Sequence, residues 1–388
     1  MLAPVGVVLL VIAIGTADDS GWAQAARDPS TDQRYATALK TAKRVGKPTT
    51  TTTTTTTPPA SATTAPPATT LPAATTTTTT TTQPATTTTT QPATTTTQAT
   101  VIESYDAVPF AADSPWNSGL GAGALFRSTS DPMTTNLRSS TWTPWVNAGQ
   151  YSHPLIQASW SDPVVSMTCD YISGVGAGAT TQFRVPLNAT AAPGTDGHLH
   201  VINPERTQVV EMFQVRGSGS QRTCNYLVRN DLRSSGFGAG GTRAHGGSAI
   251  GGLIRSNELD GTPIRHALAV ALSAGQLKQG FVWPATAEDG DAQWSYYGAV
   301  PMGSYLAIPL SVDVGALNLT PEGRAVALAL QRYGAYVVDR ASGVMLYTEP
   351  SLEGSSELDN LRRDMRTLVG QLRIVANNSP QSVNGGNP

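Results

Sequence analysis

Five residues between positions 196 and 266 have the side chains that acid–base catalysis requires: Asp196, His198, Glu211, Glu258 and His266. Paired carboxyl groups can act as general acid and as base or nucleophile, and histidine transfers protons near neutral pH. We therefore predict that these five residues form the catalytic group. Glu211 and Glu258 are the predicted acid/base and nucleophile, and the histidines are expected to orient them.

His198 and His200 lie in the strand-like stretch 196–200. Residues two apart on a strand face the same side, so the two imidazoles can point together. Together with Glu205 they resemble half of a cupin metal site, but a turn precedes Glu205 and no second half follows. We predict no cofactor. The alternatives are a metal ion held by His198 and His200, and a single inward histidine bonded to a neighbour.

Glu211 lies in an apolar run, with Val209 and Phe213 on its face of the alternating pattern. A carboxylate among apolar residues either faces solvent or is buried with a partner. The shared face with Val209 and Phe213 favours a cleft. Burial there raises the pKa of a glutamate and suits it to act as a general acid.

The stretch 243–272 combines glycines, acids and histidines ahead of an apolar run. The glycines of 246–252 allow close approach of a ligand or of another part of the chain. Glu258 comes just before a turn, and its alternative role is to cap backbone amides. His266 is predicted on a strand over 264–272, where its alternative role is that of a hydrogen-bonded core histidine.

Further side chains around these acids are expected to contact substrate. The predicted substrate-binding residues are His245, Arg255, Asp260, Trp116 and Trp142. Indole rings suit stacking, and polar groups suit hydrogen bonds that orient a ligand.

Missing patterns exclude several classes of protein. The chain has no Gly-x-Ser-x-Gly elbow, P-loop, His-Glu-x-x-His or Cys-x-x-Cys motif. Six of its 25 lysines and arginines and four of its 27 acids precede residue 101, which leaves 19 against 23, a net charge of −4. Because no basic patch is visible that could neutralise phosphates, no nucleic-acid partner is expected.

The first hundred residues predict export. We divide the chain into a signal peptide or N-terminal anchor (1–25), a polar spacer (26–47), a disordered Thr/Pro-rich linker (48–100), a β-sandwich domain (101–376) and a disordered tail (377–388). An apolar start followed by a stalk that cannot bury a core indicates a secreted or cell-surface tethered protein. Attachment to a membrane or cell wall through the first segment stays open.

Short apolar strands between Gly/Pro turns predict a mainly β fold. The expected architecture is an antiparallel β-sandwich or jelly roll with two peripheral helices. Strands are predicted at 164–171, 181–185, 198–202, 208–215 and 335–339. One helix is predicted to begin after a Thr320 cap and to end at Gly334, and the other to span 356–372.

The chain has two cysteines, Cys169 and Cys224. In an exported protein a lone pair favours one disulfide, which stabilises a domain by about 2–4 kcal/mol. The alternative is two buried free thiols.

Six motifs occur in order over most of 108–340. They are Phe-Ala-Ala-Asp-Ser-Pro-Trp-Asn from Phe110, Asp-Gly-His from Asp196, Gly-Leu-Ile-Arg-x-x-Glu-Leu from Gly252, Ile-x-His-Ala-Leu from Ile264, Leu-Thr-Pro-Glu-Gly-Arg from Leu319 and Tyr-Gly-Ala-Tyr-Val-Val-Asp from Tyr333. In these motifs the chain resembles a family of secreted bacterial proteins of actinobacterial type. The resemblance implies that the five predicted catalytic residues belong to one group, and it supplies no substrate. The fold is also similar to the concanavalin-like sandwiches of glycosidases and polysaccharide lyases, a likeness that does not fix function.

One function and two alternatives follow from these observations. We expect a monomeric, exported glycoside hydrolase that cleaves a cell-wall or environmental polysaccharide with Glu211 and Glu258. One alternative is a non-catalytic carbohydrate-binding or adhesion module displayed on the stalk. The other is a polysaccharide lyase with His198 or His266 as its base.

Overall fold

The computed structural model describes residues 109–238 and 240–386. The predicted signal or anchor segment (1–25), spacer (26–47) and linker (48–100) lie outside these residues. Within the described ranges, no helix combines the length and the apolar character needed to cross a membrane.

Strands outnumber helices among the described residues, so the predicted mainly β class is confirmed. The strands are, in chain order, β1 (Trp145–Asn147), β2 (Leu155–Gln157), β3 (Val164–Ile172), β4 (Gly176–Ala177), β5 (Thr180–Arg184), β6 (Leu199–Ile202), β7 (Gln208–Phe213), β8 (Arg216–Ser218), β9 (Gln221–Asp231), β10 (Leu268–Ser273), β11 (Leu277–Phe281), β12 (Val300–Met302), β13 (Tyr305–Ala307), β14 (Ala335–Ala341), β15 (Met345–Tyr347) and β16 (Arg373–Ile374). The α-helices are α1 (Pro132–Leu137), α2 (Ala292–Ser295), α3 (Pro321–Arg332) and α4 (Ser356–Gln371).

Both large sheets are mixed, so the predicted purely antiparallel arrangement is wrong. The six-stranded sheet has the order β1-β15-β10-β14-β13-β16, and β11 pairs with β12 separately. The eight-stranded sheet has the order β2-β6-β7-β9-β3-β4, with β5 beside β3 and β8 beside β9. The pairs β1–β15, β10–β14, β2–β6 and β3–β9 are parallel. Parallel neighbours need long connections, which alternation within a single strand does not reveal.

The predicted strands of the eight-stranded sheet correspond to β3, β5, β6 and β7. The stretch 264–272 differs, because β10 begins only at Leu268. His266 therefore lies in the loop before the strand, and its predicted place on a strand is wrong. The Trp116 carbonyl holds this loop by accepting the amide of Ala267 at 2.7 Å.

Both predicted long helices are confirmed, and they pack against the six-stranded sheet. Thr320 caps α3 by accepting the amide of Gly323, and Ser355 caps α4 by accepting the amide of Leu358. The apolar faces of both helices share one buried cluster with β10, β13 and β14. Capping and helical periodicity are local signals, which is why the sequence predicts these helices well.

A second buried cluster contains side chains from both large sheets. It includes Ile202 and Val209 of the eight-stranded sheet and Val338 of the six-stranded sheet. His200 and Glu211 are two residues from Ile202 and Val209 along their strands, so they face the same side, and both are fully buried. Polar chemistry is thus placed inside the apolar region that the two sheets share.

Cys169 of β3 and Cys224 of β9 form a disulfide, as predicted. The two residues are direct partners in the parallel pair, and both are buried. The alternative of two free thiols is wrong.

The residues after Asn377 differ from the predicted disordered tail. The Asn384 side chain is fully buried and donates to the carbonyls of Pro115 and Ser118 at 3.0 and 2.6 Å, while it accepts from the Tyr336 hydroxyl. Polar composition suggested a solvated tail. The partners that order it lie 269 and 266 positions away, and composition carries no information about them.

Replacing both cysteines by alanine is expected to lower the free energy of unfolding by about 2–4 kcal/mol, because the crosslink restricts the unfolded chain. The bond joins residues 55 positions apart. Urea unfolding followed by tryptophan fluorescence measures the change. Wild-type protein in reductant is the matched control and should unfold at the same urea concentration as the double variant. A midpoint unaltered by both treatments would contradict a stabilising role.

Candidate functional site

The predicted site residues fall into two different clefts. The Glu258 cleft has a volume of about 240 Å³. It is lined by Glu258, His266, Arg255 and Trp116 among others. The histidine cleft has a volume of about 1200 Å³ and is lined by Asp196, His198 and Trp142 among others. Neither lining includes Glu211, His245 or Asp260.

In the Glu258 cleft a carboxylate and an imidazole form a buried pair. Nε2 of His266 lies 3.1 and 3.2 Å from the two carboxylate oxygens of Glu258. The Arg255 amide donates to Oε2 of Glu258 at 2.8 Å, which is the capping role considered for this residue. Nδ1 of His266 lies 2.9 Å from the Ala267 carbonyl. Both ring nitrogens therefore face acceptors.

Each member of the pair favours the charged form of the other. Burial disfavours a charge on His266, but Glu258 outweighs it, so the pKa of His266 is raised. Burial likewise disfavours charge on Glu258, but His266 and the Arg255 amide hold its pKa below the usual value. An imidazolium with both N–H groups engaged has no lone pair for a proton. The pair is thus suited to fixing the loop before β10.

Glu211 is fully buried, and its carboxylate is bonded within the fold. Oε1 accepts from the Ser248 hydroxyl and from Nδ2 of Asn230 at 3.1 Å, and Oε2 accepts from the amide of Ala249 at 2.9 Å. Burial raises the pKa of Glu211, although these donors oppose the rise. Glu211 and Glu258 have different partners, and the structure does not bring the two predicted catalytic glutamates into one cleft.

The histidine cleft forms where strands of both large sheets end. His153 lies two residues before β2, and His198 lies one residue before β6, its parallel neighbour, so both reach one end of the eight-stranded sheet. Asp339 and Arg340 belong to β14, and Tyr347 belongs to β15. The cleft is therefore lined by both sheets.

Three buried histidines form a compact group here: His153, His198 and His200. Their ring centroids are 4.4, 5.2 and 5.5 Å apart. Nδ1 of His153 lies 3.0 Å from Nε2 of His200, so one ring donates to the other. Burial is the main cause that lowers the pKa of each ring, with Arg243 contributing, and His198 reaches about 3. The rings are neutral at pH 7, and in their arrangement they could hold a metal ion.

Two partly buried acids, Asp196 and Asp339, lie on the same cleft. Burial, together with the neighbouring Asp289 and Asp196, raises the pKa of Asp339 to about 7, and Arg243 opposes this rise. Burial also raises the pKa of Asp196. Nη1 of Arg243 lies 3.9 Å from Oδ2 of Asp339, and its guanidinium lies 4.0 Å from the centre of the Tyr347 ring. The cleft thus holds a carboxyl group that exchanges its proton near pH 7.

The two tryptophans predicted to contact substrate differ in exposure. Trp116 is buried and stacks on Phe237 with ring centroids 4.9 Å apart. His245 is buried at the edge of the same two rings. Trp142 is 53% exposed and lines the histidine cleft, where its ring is accessible to a ligand.

The predicted polar contacts are engaged locally. Nε of Arg255 donates to Oε1 of Glu349 at 2.8 Å, in a buried ion pair beside the Glu258 cleft. Asp260 accepts from the amide and hydroxyl of Thr262 in an exposed turn, an arrangement typical of turn residues.

Four residues of this region lie outside the sequence prediction: His153, Arg243, Asp339 and Tyr347. For His153, one signal in the sequence could have indicated a site: it lies in a stretch rich in Trp, Tyr and Pro. Asp339 closes one of the six motifs, but its role there has no local signature. Strand pairing across the chain brings these residues to the cleft, and no short-range pattern reports it.

Replacing His266 by glutamine is expected to lower the free energy of unfolding by about 3–5 kcal/mol near pH 6, because Glu258 stays buried without its charged partner. The raised pKa of His266 means that its contribution is complete below about pH 6.5 and is lost as pH rises through the folded-state pKa. The lowered pKa of Glu258 means that its contribution holds above about pH 4.5 and is lost as pH falls.

The difference between wild type and His266→Gln should therefore be largest between about pH 4.5 and 6.5 and smaller on either side. Urea titrations at a series of pH values measure it. Asp260→Asn, in the exposed turn of the same loop, is the control and should change the free energy by no more than about 0.5 kcal/mol. A difference that stays constant into alkaline pH would rule out the ion pair as its origin.

The two clefts offer different chemistry to a ligand. The Glu258 cleft is small and its charged pair is saturated, whereas the histidine cleft is large and holds neutral imidazoles, acids and exposed indoles. No protein-family model, curated protein or solved structure matches this chain.

Proposed function

We propose that the chain is an exported carbohydrate-active enzyme, a glycoside hydrolase that cleaves a cell-wall or environmental polysaccharide in the histidine cleft. The observation that carries this proposal is the pair of acids, Asp196 and Asp339, in an open cleft of about 1200 Å³. Two carboxyl groups in different environments are what glycoside hydrolysis needs. The volume exceeds that of most small-ligand pockets, which suits a polymer.

Asp339 is the proposed general acid. Its pKa of about 7 leaves a proton available near neutral pH for the glycosidic oxygen as the bond from that oxygen to the anomeric carbon breaks. Asp196 is the proposed base, which takes a proton from the water whose oxygen forms the new bond to that carbon. Arg243, 3.9 Å from Asp339, stabilises the carboxylate that remains.

Exposed indoles provide a surface on which sugar rings can stack. Trp142 is 53% exposed and Trp145 is 42% exposed, and both line the cleft. The Arg362 guanidinium lies 4.4 Å from the Trp145 ring centre and fixes that ring. Aromatic faces offer a large rigid contact at low entropic cost, which suits binding along a polymer.

The fold and the disulfide support the same proposal. A buried cluster shared by both large sheets favours a sandwich-like packing of the domain. The bond between Cys169 and Cys224 is of the kind that persists in oxidising compartments, as expected of a secreted or surface-tethered monomer.

A polysaccharide lyase is the second candidate, favoured by the neutral histidines. The His198 ring lines the cleft, and burial lowers its pKa to about 3, so the ring is unprotonated at neutral pH. A lyase base takes the proton beside a uronate carboxylate, the bond to the leaving sugar oxygen breaks, and a carbon–carbon double bond forms. Arg340, which also lines the cleft, carries a positive charge suited to that carboxylate.

Asp339→Asn is expected to lower kcat/KM for glycan cleavage by about 100- to 10,000-fold, the usual contribution of a positioned general acid. Full-length protein is incubated with a panel of wall and plant glycans, and products are read by mass, by reducing ends and by the absorbance of unsaturated uronates. Asp260→Asn makes the same chemical change in an exposed turn outside both clefts and should keep the wild-type rate.

Three outcomes would redirect the proposal. A wild-type rate in Asp339→Asn would remove Asp339 as the acid. Unsaturated products that disappear in His198→Gln would establish the lyase. Glycan retention without any product from the wild type would establish a binding module.

Trp142→Ala is expected to raise KM by about 2- to 10-fold with little change in kcat, because one aromatic stacking contact contributes about 0.5–1.5 kcal/mol. Trp294→Ala is the matched control, since Trp294 is 78% exposed and lines neither cleft. Steady-state kinetics on the best glycan measures both. An equal rise of KM in both variants would show that Trp142 is not a substrate contact.

A further inference from the structure

We propose that His153, His198 and His200 form a binding site for one divalent transition-metal ion of the zinc type. One nitrogen from each ring lies within 4.8 Å of those of the other two. Three imidazoles are a ligand set that zinc uses in proteins, with a fourth position left for water or a substrate oxygen. Imidazole also suits cobalt, nickel and copper, which makes these ions useful probes.

The fold assembles these ligands through the parallel pairing of β2 and β6. Leu155 is opposite His200 in the register, so His153, two residues earlier, lies beside His198. His198 and His200 are two apart and face the same side. His200 thus comes from β6 and His198 from the residue just before it. His153 comes from the segment that leads into the neighbouring strand, β2.

The spacing of the nitrogens is close to that of a zinc site. Nδ1 of His153 and Nε2 of His200 are 3.0 Å apart. Two nitrogens bonded at about 2.0 Å to one tetrahedral zinc ion would be about 3.3 Å apart. A bound metal ion would take the place of the proton between these two nitrogens, and the two rings would move slightly apart.

An unpartnered ring nitrogen is a second, independent observation. Nδ1 of His198 is buried and has no hydrogen-bond partner. Buried polar atoms are normally paired, so such atoms call for an explanation. The His198 ring also hydrogen-bonds to the backbone of Met212, the kind of contact that orients a metal-ligating histidine.

The charges around the group are compatible with a cation. Arg243 opposes one, because its positive charge acts on all three rings. Asp196 and Asp339 line the same cleft, and their carboxyl groups act against the effect of that guanidinium. Two of the histidines also line the open cleft, so an ion has a path from solvent and its free position faces the proposed substrate.

The test is the metal content of the purified full-length chain. The protein is equilibrated with Zn²⁺ or with Co²⁺, dialysed and measured by elemental analysis, and the Co²⁺ form is examined by visible absorption. We expect about one ion per chain and ligand-field bands of low-coordinate Co²⁺. His198→Ala and His200→Ala should each lower the retained metal at least about tenfold, since even outer partners of a site contribute that much.

His245→Ala is the matched control, because His245 is equally buried and lies outside the group. It should retain as much metal as the wild type. If either ligand variant loses its circular dichroism, His153→Gln and melting curves decide instead. Zn²⁺ should then raise the Tm of the wild type over EDTA-treated protein and leave the Tm of His153→Gln unchanged.

Retention far below one ion by the wild type, or equal retention by wild type and by the folded ligand variants, would overturn the proposal. These measurements use no glycan. Their failure therefore leaves the glycan-cleavage proposal standing, and absence of cleavage leaves the metal site standing.

Discussion

The buried carboxylate of Glu211 is the interaction on which the arrangement of the described domain depends. A carboxyl group this deep is unfavourable unless hydrogen-bond partners surround it. Ser248, Ala249 and Asn230 are those partners. Because Ser248 and Ala249 belong to the glycine-rich segment 246–252, their bonds fasten that segment to β7. Burial and apolar neighbours suggested that Glu211 is a catalytic acid. In the structure, its carboxyl oxygens are instead engaged in hydrogen bonds that hold the fold together.

Fastening the segment so tightly explains its glycines. A Cβ on Gly251 would lie 2.5 Å from a ring carbon of Trp116, and one on Gly252 would lie 2.2 Å from the amide nitrogen of Ala269. Gly252 also has a φ of +72°, a conformation that other residues rarely adopt. The glycines therefore let the backbone lie directly between an indole and β10, and this packing forms one wall of the Glu258 cleft.

Local chemistry made part of this structure predictable. The cap at Thr320, the apolar run that forms β7 and the pairing of two cysteines each have a signal in the sequence, and each is seen. His266 shows where such local signals fail, because the apolar run predicted a strand at His266 and the strand begins two residues later, at Leu268. The contact between His153 and His198 is harder still to predict from the sequence. They meet because β2 and β6 pair in parallel, and the energy of that pairing is spread over contacts that no single stretch encodes.

Arg243 connects the acid and the histidines of the histidine cleft. It is buried, lies 3.9 Å from Asp339 and packs over Tyr347. Without this cation, burial would hold the Asp339 proton to higher pH, and the rings beside it would protonate more readily. The same charge thus keeps the acid able to release its proton and the imidazole lone pairs free. A metal ion on those rings would act on Asp339 in the same direction, so its binding would also favour release of the Asp339 proton.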